Sequence, residues 1–91
     1  MILVLDKKRK FYLLLSKEDI KTDSAVEKYI KIFVFNILGK KLKTQNDFDF
    51  FLRKNSKMFK GLSVYSPVRK ENLFKLIKGY KHISSFDEMD V

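Results

Sequence analysis

The sequence predicts a small single-domain α+β fold: an N-terminal β-hairpin, about three helices and one or two further short strands. Three observations carry the prediction. Two five-residue apolar runs flank a charged stretch at the start of the chain, glycines stand just after amphipathic stretches, and 91 residues leave room for one core only. Hydrophobic residues make up 45% of the chain and aromatic residues 14%, enough to fold without disulfides or metal. Residues 1–86 are expected to form the domain, and 87–91, with Asp87, Glu88 and Asp90, an acidic tail.

The first two apolar runs, residues 1–5 and 11–15, suit strands joined by a five-residue loop, Asp6-Lys7-Lys8-Arg9-Lys10. Both runs are continuous rather than alternating, so both faces of these strands are expected to be covered, by helices on one side and by a partner on the other. Residues 16–23 are polar, with Ser16 and Asp19 placed to cap a short turn. Ser24 and Glu27 then have capping-box spacing, which predicts a helix over 25–38 that ends at Gly39. Val26, Ile30, Phe33 and Ile37 share one face of it, and Ile32, Val34, Phe35 and Leu38 spread apolar surface around the rest. Residues 30–35 are also β-branched and aromatic enough for a strand; helix is favoured and strand stays open.

Thr44 and Asp47 predict a second helix over 45–54, with Phe48, Phe51 and Leu52 inward and Phe50 off that face. Its acids come first and its cations, Arg53 and Lys54, last, as the helix dipole favours. Residues 55–61 read as a polar connector, and 62–65 alternate like a short strand. Ser66 as cap with Pro67 at the first helical position predicts a third helix running to Lys78 and stopping at Gly79. Its buried stripe is Leu73, Leu76, Ile77 and Tyr80, and Glu71 and Lys75 are spaced for an ion pair. Residues 81–86 are expected to add a last strand.

Twenty Lys and Arg against eleven Asp and Glu give a net charge of +9. Because three acids sit in the last five positions, residues 1–86 carry 20 basic and eight acidic groups, a net of +12. Such a balance attracts nucleic acid or an acidic protein surface. All but Arg9, Arg53 and Arg69 of the basic residues are Lys, however, and a lysine surface can serve solubility alone.

The polyanion-binding candidates are Lys7, Lys8, Arg9 and Lys10; Lys40, Lys41 and Lys43; Arg53, Lys54, Lys57 and Lys60; and Arg69 with Lys70. Phe50, Phe59 and Tyr65 are candidate stacking partners for bases if exposed.

Catalysis is disfavoured by specific absences. The chain has no Cys, which removes thiolate nucleophiles and zinc ribbons. It has one His, His82, near Ser84 and Ser85, and sequence proximity does not make a triad. Asp47 and Asp49 would point apart on a helix, and three isolated glycines make no phosphate cradle. The expectation is therefore a non-enzymatic cytoplasmic binding protein without catalytic residues, metal or cofactor, free of membrane spans and homodimeric through its surplus Phe. Nucleic acid or another polyanion is the expected ligand. The alternative is a protein-interaction module, an inhibitor or accessory factor on a larger, nucleic-acid-handling protein.

Overall fold

A computed structural model of the chain describes residues 1–16 and 21–83. The elements run β1 (Ile2–Asp6), β2 (Phe11–Leu15), α1 (Thr22–Leu38), α2 (Gln45–Lys54), a 3-10 turn (Ser56–Phe59), β3 (Leu62–Tyr65), α3 (Lys70–Leu76) and β4 (Lys81–His82). This is the predicted α+β domain, with the hairpin first and residues 30–35 helical. The four strands form one sheet in the order β3-β1-β2-β4. β1 pairs antiparallel with both β2 and β3, while β4 lies parallel to β2 at the other edge.

Strand alternation explains the continuous apolar runs, because the sheet has a helix layer on each face. Ile2 and Val4 of β1, Leu13 and Leu15 of β2, and Val64 of β3 pack with α1, α2 and the 3-10 turn around Ala25, Tyr29, Ile30, Ile32 and Phe33. Leu3 and Leu5 point to the opposite face and meet Val68 and Leu73, with Tyr12, Leu14, Tyr65, Leu76 and Ile77 around them. The face assigned to a partner is thus covered by α3 of the same chain.

Several boundaries differ from expectation for identifiable reasons. Asp6 is the last residue of β1, opposite Phe11, so the hairpin loop is four residues, 7–10. Lys10 takes a left-handed φ of 62°, and its amide donates to the Asp6 carbonyl at 2.8 Å, closing the turn. α1 starts at Thr22 behind Lys21 with no side-chain cap, so Ser24 lies in the first turn and the Ser24–Glu27 capping box is not formed. Gly39, at φ 68°, ends the helix as expected. Ile37, expected on the buried face, is 51% exposed, whereas Tyr29 is fully buried.

α3 is shorter than predicted. Val68 lies outside the helix, donating its amide to the Met1 carbonyl at 2.9 Å and packing on Leu3 and Leu5, and the helix begins only at Lys70, behind an extended Arg69. Ser66-Pro67 is a cis peptide outside the helix rather than its cap and first residue. A Glu71–Lys75 ion pair is not among those formed by the described residues. The 55–61 connector contains the 3-10 turn, which delivers Phe59 to the core. The expected Ser16–Asp19 cap and the expected strand over 81–86 lie partly, and the acidic tail wholly, outside the described residues.

α2 matches its predicted bounds and its cap. Thr44 Oγ1 accepts from the Asp47 amide at 3.1 Å, and Asp47 Oδ2 accepts from the Thr44 amide at 3.3 Å. Thr44→Ala is expected to cost about 1 kcal/mol in urea denaturation, with no change in the sheet signal by circular dichroism.

Candidate lysine groove and the hairpin tip

The four basic clusters do not converge on one face. Lys7, Lys8 and Lys10 are exposed at the hairpin tip, where the Lys7 amide approaches the Gly61 carbonyl at 3.4 Å and the Lys81 amide donates to the Lys10 carbonyl at 2.8 Å. The tip therefore gathers cations from three places in the sequence, Lys60 and Lys81 included. Lys10 Nζ also sits 5.0 Å from the Tyr80 ring centre. Arg69 and Lys70 are exposed at the other end of β1, beside the Val68–Met1 contact and on the α3 layer. Arg53 and Lys57 are exposed on α2 and the 3-10 turn.

Arg9 is turned away from any ligand. Its guanidinium pairs with Asp6 Oδ2 at 2.9 Å, its amide donates to Asp6 Oδ1 at 3.1 Å, and its side chain is only 20% exposed. The guanidinium lies 4.6 Å from the Phe33 ring centre and 5.6 Å from that of Phe59. Asp6 itself is 0% exposed and accepts a further hydrogen bond from the Tyr29 hydroxyl at 2.7 Å. Burial, then the hydrogen bond to Asp6 and its charge, push the Tyr29 hydroxyl well above the usual tyrosine range, and the opposing effect of Arg9 is too small to reverse this.

A different set of lysines comes together around residues 40–43. Gly39 reverses the chain, with the amides of Gly39 and Lys40 both directed to the Val34 carbonyl, and the segment then runs back along α1. Between the two lies an open groove of about 630 Å³, lined by Lys28 and Lys31 of α1 and by Lys41 and Lys43 of the returning segment. Leu42 supplies apolar surface over the buried Ile32, and among the described residues Glu27 is its one carboxylate, 3.3 Å from Lys31 Nζ.

On the other flank of Lys41 and Leu42 a second cleft, of about 540 Å³, adds Lys40 and Lys54. Phe50 opens into it, 57% exposed, with Lys54 Nζ 4.6 Å from its ring centre. Asp47, also at this cleft, is occupied by the α2 cap. The two clefts share Lys41 and Leu42 and so make one band of six lysines.

Of the three aromatic candidates only Phe50 is exposed, with the Lys54 ammonium over its ring. Phe59 is buried with its ring against Phe33 and Phe51, and Tyr65 is half-buried beneath α3, on the opposite face from the band. Lys28 and Lys31 fall outside the basic clusters of the sequence because they are not chain neighbours; their i, i+3 spacing on a helix is the signal that joins them. His82 is exposed with its ring 5.1 Å from Tyr12, and Asp49 accepts from Gln45 Nε2 at 3.1 Å. Among the described residues no helix is long and apolar enough to cross a membrane, and no group of His, Asp and Glu is assembled that could hold a metal ion.

Two measurements check the hairpin cluster. Asp6→Ala leaves the Arg9 charge and the Tyr29 hydroxyl without their buried acceptor and is expected to cost about 3 kcal/mol in denaturant unfolding. In the unfolded chain Tyr29 ionises near the ordinary tyrosine value of about 10. Above that pH the unfolded state holds fewer protons than the native state, so the Tyr29 contribution is intact below about pH 10 and declines as pH rises. The stability difference between wild type and Tyr29→Phe should therefore be constant from neutral pH to about pH 9 and shrink above about pH 10 in urea titrations.

No protein-family model matches the chain, and comparison with curated proteins and with solved structures returns no match, so the functional reading rests on these residues and their geometry.

Proposed function

We propose that the chain is a non-enzymatic binding protein that holds the phosphate backbone of a nucleic acid along the lysine band formed by Lys28, Lys31, Lys43, Lys41, Lys40 and Lys54. The observation that carries this reading is the band itself: six cations from three separate parts of the chain border two joined clefts whose described lining includes two carboxylates, Glu27 and Asp47. Like charges gathered on a concave surface repel one another, and a polyanion relieves that repulsion while releasing its own counterions. Supporting the non-catalytic reading, the one histidine is exposed on the last described strand, and Asp47 and Asp49 serve contacts within α2.

A protein-docking reading has a separate observation behind it. Phe74 of α3 is 73% exposed on the layer opposite the lysine band, and the same layer carries a groove of about 380 Å³ bordered by Arg69 and Lys75. That surface suits an acidic protein better than a nucleic acid, since its apolar component is the larger, but it gathers fewer cations than the band.

The two readings separate by salt. Fluorescence anisotropy with labelled oligonucleotides should show affinity falling steeply as salt rises, with a log–log slope reporting several neutralised phosphates. The triple variant Lys31→Gln, Lys41→Gln, Lys43→Gln should weaken binding and reduce that slope by about 2 to 3. Replacing Lys7, Lys8 and Lys10 instead should have the smaller effect. Absence of binding even at low salt would leave the protein-docking reading in front.

A further inference from the structure

We infer that the nucleic acid is single-stranded and that Phe50 stacks on one of its bases; the inference rests on the lysine-band reading and deepens it. A lone exposed apolar side chain is ordinary on a protein surface. Phe50 is distinguished by where it stands. α2 already has its inward face in Phe48, Phe51 and Leu52, so the Phe50 ring contributes nothing to the core. It opens instead into the cleft bordered by Lys40, Lys41 and Lys54, the end of the band furthest from Lys28.

The geometry within that cleft matches what a strand with unpaired bases offers. Phe50 and Lys54 are one helical turn apart on a 10-residue helix, and the ammonium lies 4.6 Å from the ring centre. The ammonium lies over one face of the ring, so a base takes the other face or displaces the ammonium, which remains on the same helix turn to meet that base's phosphate. A base entering over the ring carries its own phosphate toward Lys54, while adjoining phosphates can follow Lys40 and Lys41 into the neighbouring groove. Single-strand binders combine these two elements, a basic track and aromatic platforms, and they tolerate sequence variation because every base has a π-face.

A duplex engages only half of this arrangement. Its phosphates can meet the lysines, but its bases are already stacked on one another and present no face to Phe50 except at the ends. The lysines alone therefore predict binding to any polyanion, and Phe50 supplies the preference among polyanions.

The test uses the full chain with three probes: a fluorescein-labelled oligothymidylate of about 15 nucleotides, a duplex of similar length, and heparin. Phe50→Ala is expected to weaken oligothymidylate binding by about 5- to 100-fold while leaving duplex and heparin binding and the salt slope unchanged. Phe50→Trp should keep the affinity, and because the chain has no other Trp, its fluorescence should be quenched as the oligothymidylate binds. Equal oligothymidylate affinity in wild type and Phe50→Ala, or an unquenched Trp in a complex that still forms, overturns the stacking inference and leaves the lysine band standing. Failure of all three probes to bind wild type at low salt removes the band reading itself.

Discussion

The Asp6 carboxylate is the constraint from which the α1 side of the molecule is organised. A fully buried carboxylate loses the hydration that stabilises its charge, and several donors must replace it. Asp6 obtains them from two elements: the amide and guanidinium of Arg9 in the hairpin loop, and the hydroxyl of Tyr29 in α1. One side chain at the end of β1 thereby sets the shape of the loop and the position of the helix crossing above it. The guanidinium that answers Asp6 in turn lies against Phe33 and Phe59, which brings the 3-10 turn into the same cluster. Packing among Leu, Ile and Phe fills the layer, but it tolerates sliding; a charged hydrogen-bonded centre has one arrangement that satisfies every member.

That centre also explains why the most conspicuous basic run in the sequence, Lys7-Lys8-Arg9-Lys10, loses one member as a ligand-binding group. Arg9 could serve a phosphate only by abandoning a buried anion, at a cost of several kcal/mol. The remaining lysines of the loop stay exposed, but they stand on a turn held by main-chain bonds at a projecting end. The 40–43 segment differs in kind. It leaves α1 through the left-handed Gly39 and folds back on the helix, so its lysines face those of α1 across a groove instead of radiating into solvent. Concavity makes the difference to a polyanion, because several cations can then act on one stretch of backbone.

How much of this was legible in the sequence follows from the range of the interactions involved. The hairpin, the two-sided burial of its strands, the end of α1 at Gly39 and the whole of α2 with its Thr44 cap depend on residues within a few positions of one another, and each was readable. The start of α3 was not. Ser66-Pro67 has the right local chemistry for a helix start, but Val68 is tied outside the helix by the Met1 carbonyl and by Leu3 and Leu5, residues more than sixty positions away. Tyr29 stands at helical spacing from Val26 and Phe33, which accounts for its buried ring, but no periodicity contains the partner of its hydroxyl, Asp6. The candidate site was legible as a list of lysines and one aromatic, Phe50, but not as a surface. Lys28 and Lys31 belong to it only because the chain turns back at Gly39.

The chemistry of the cations sets what the band can do. None of the three arginines lines it: Arg9 is paired inside, Arg69 is on the opposite layer, and Arg53 is not among the cleft residues. A guanidinium fork recognises a phosphate or a guanine edge through two fixed hydrogen bonds, whereas an ammonium is a mobile point charge on a flexible stem. A band made wholly of lysine is therefore suited to following a backbone and poorly suited to reading base edges. Discrimination must come from something other than hydrogen-bond geometry, and in this cleft the remaining asymmetry is the aromatic face of Phe50. On the proposed reading, charge would supply attraction without sequence preference, and the ring would select for bases that are free to leave their own stack.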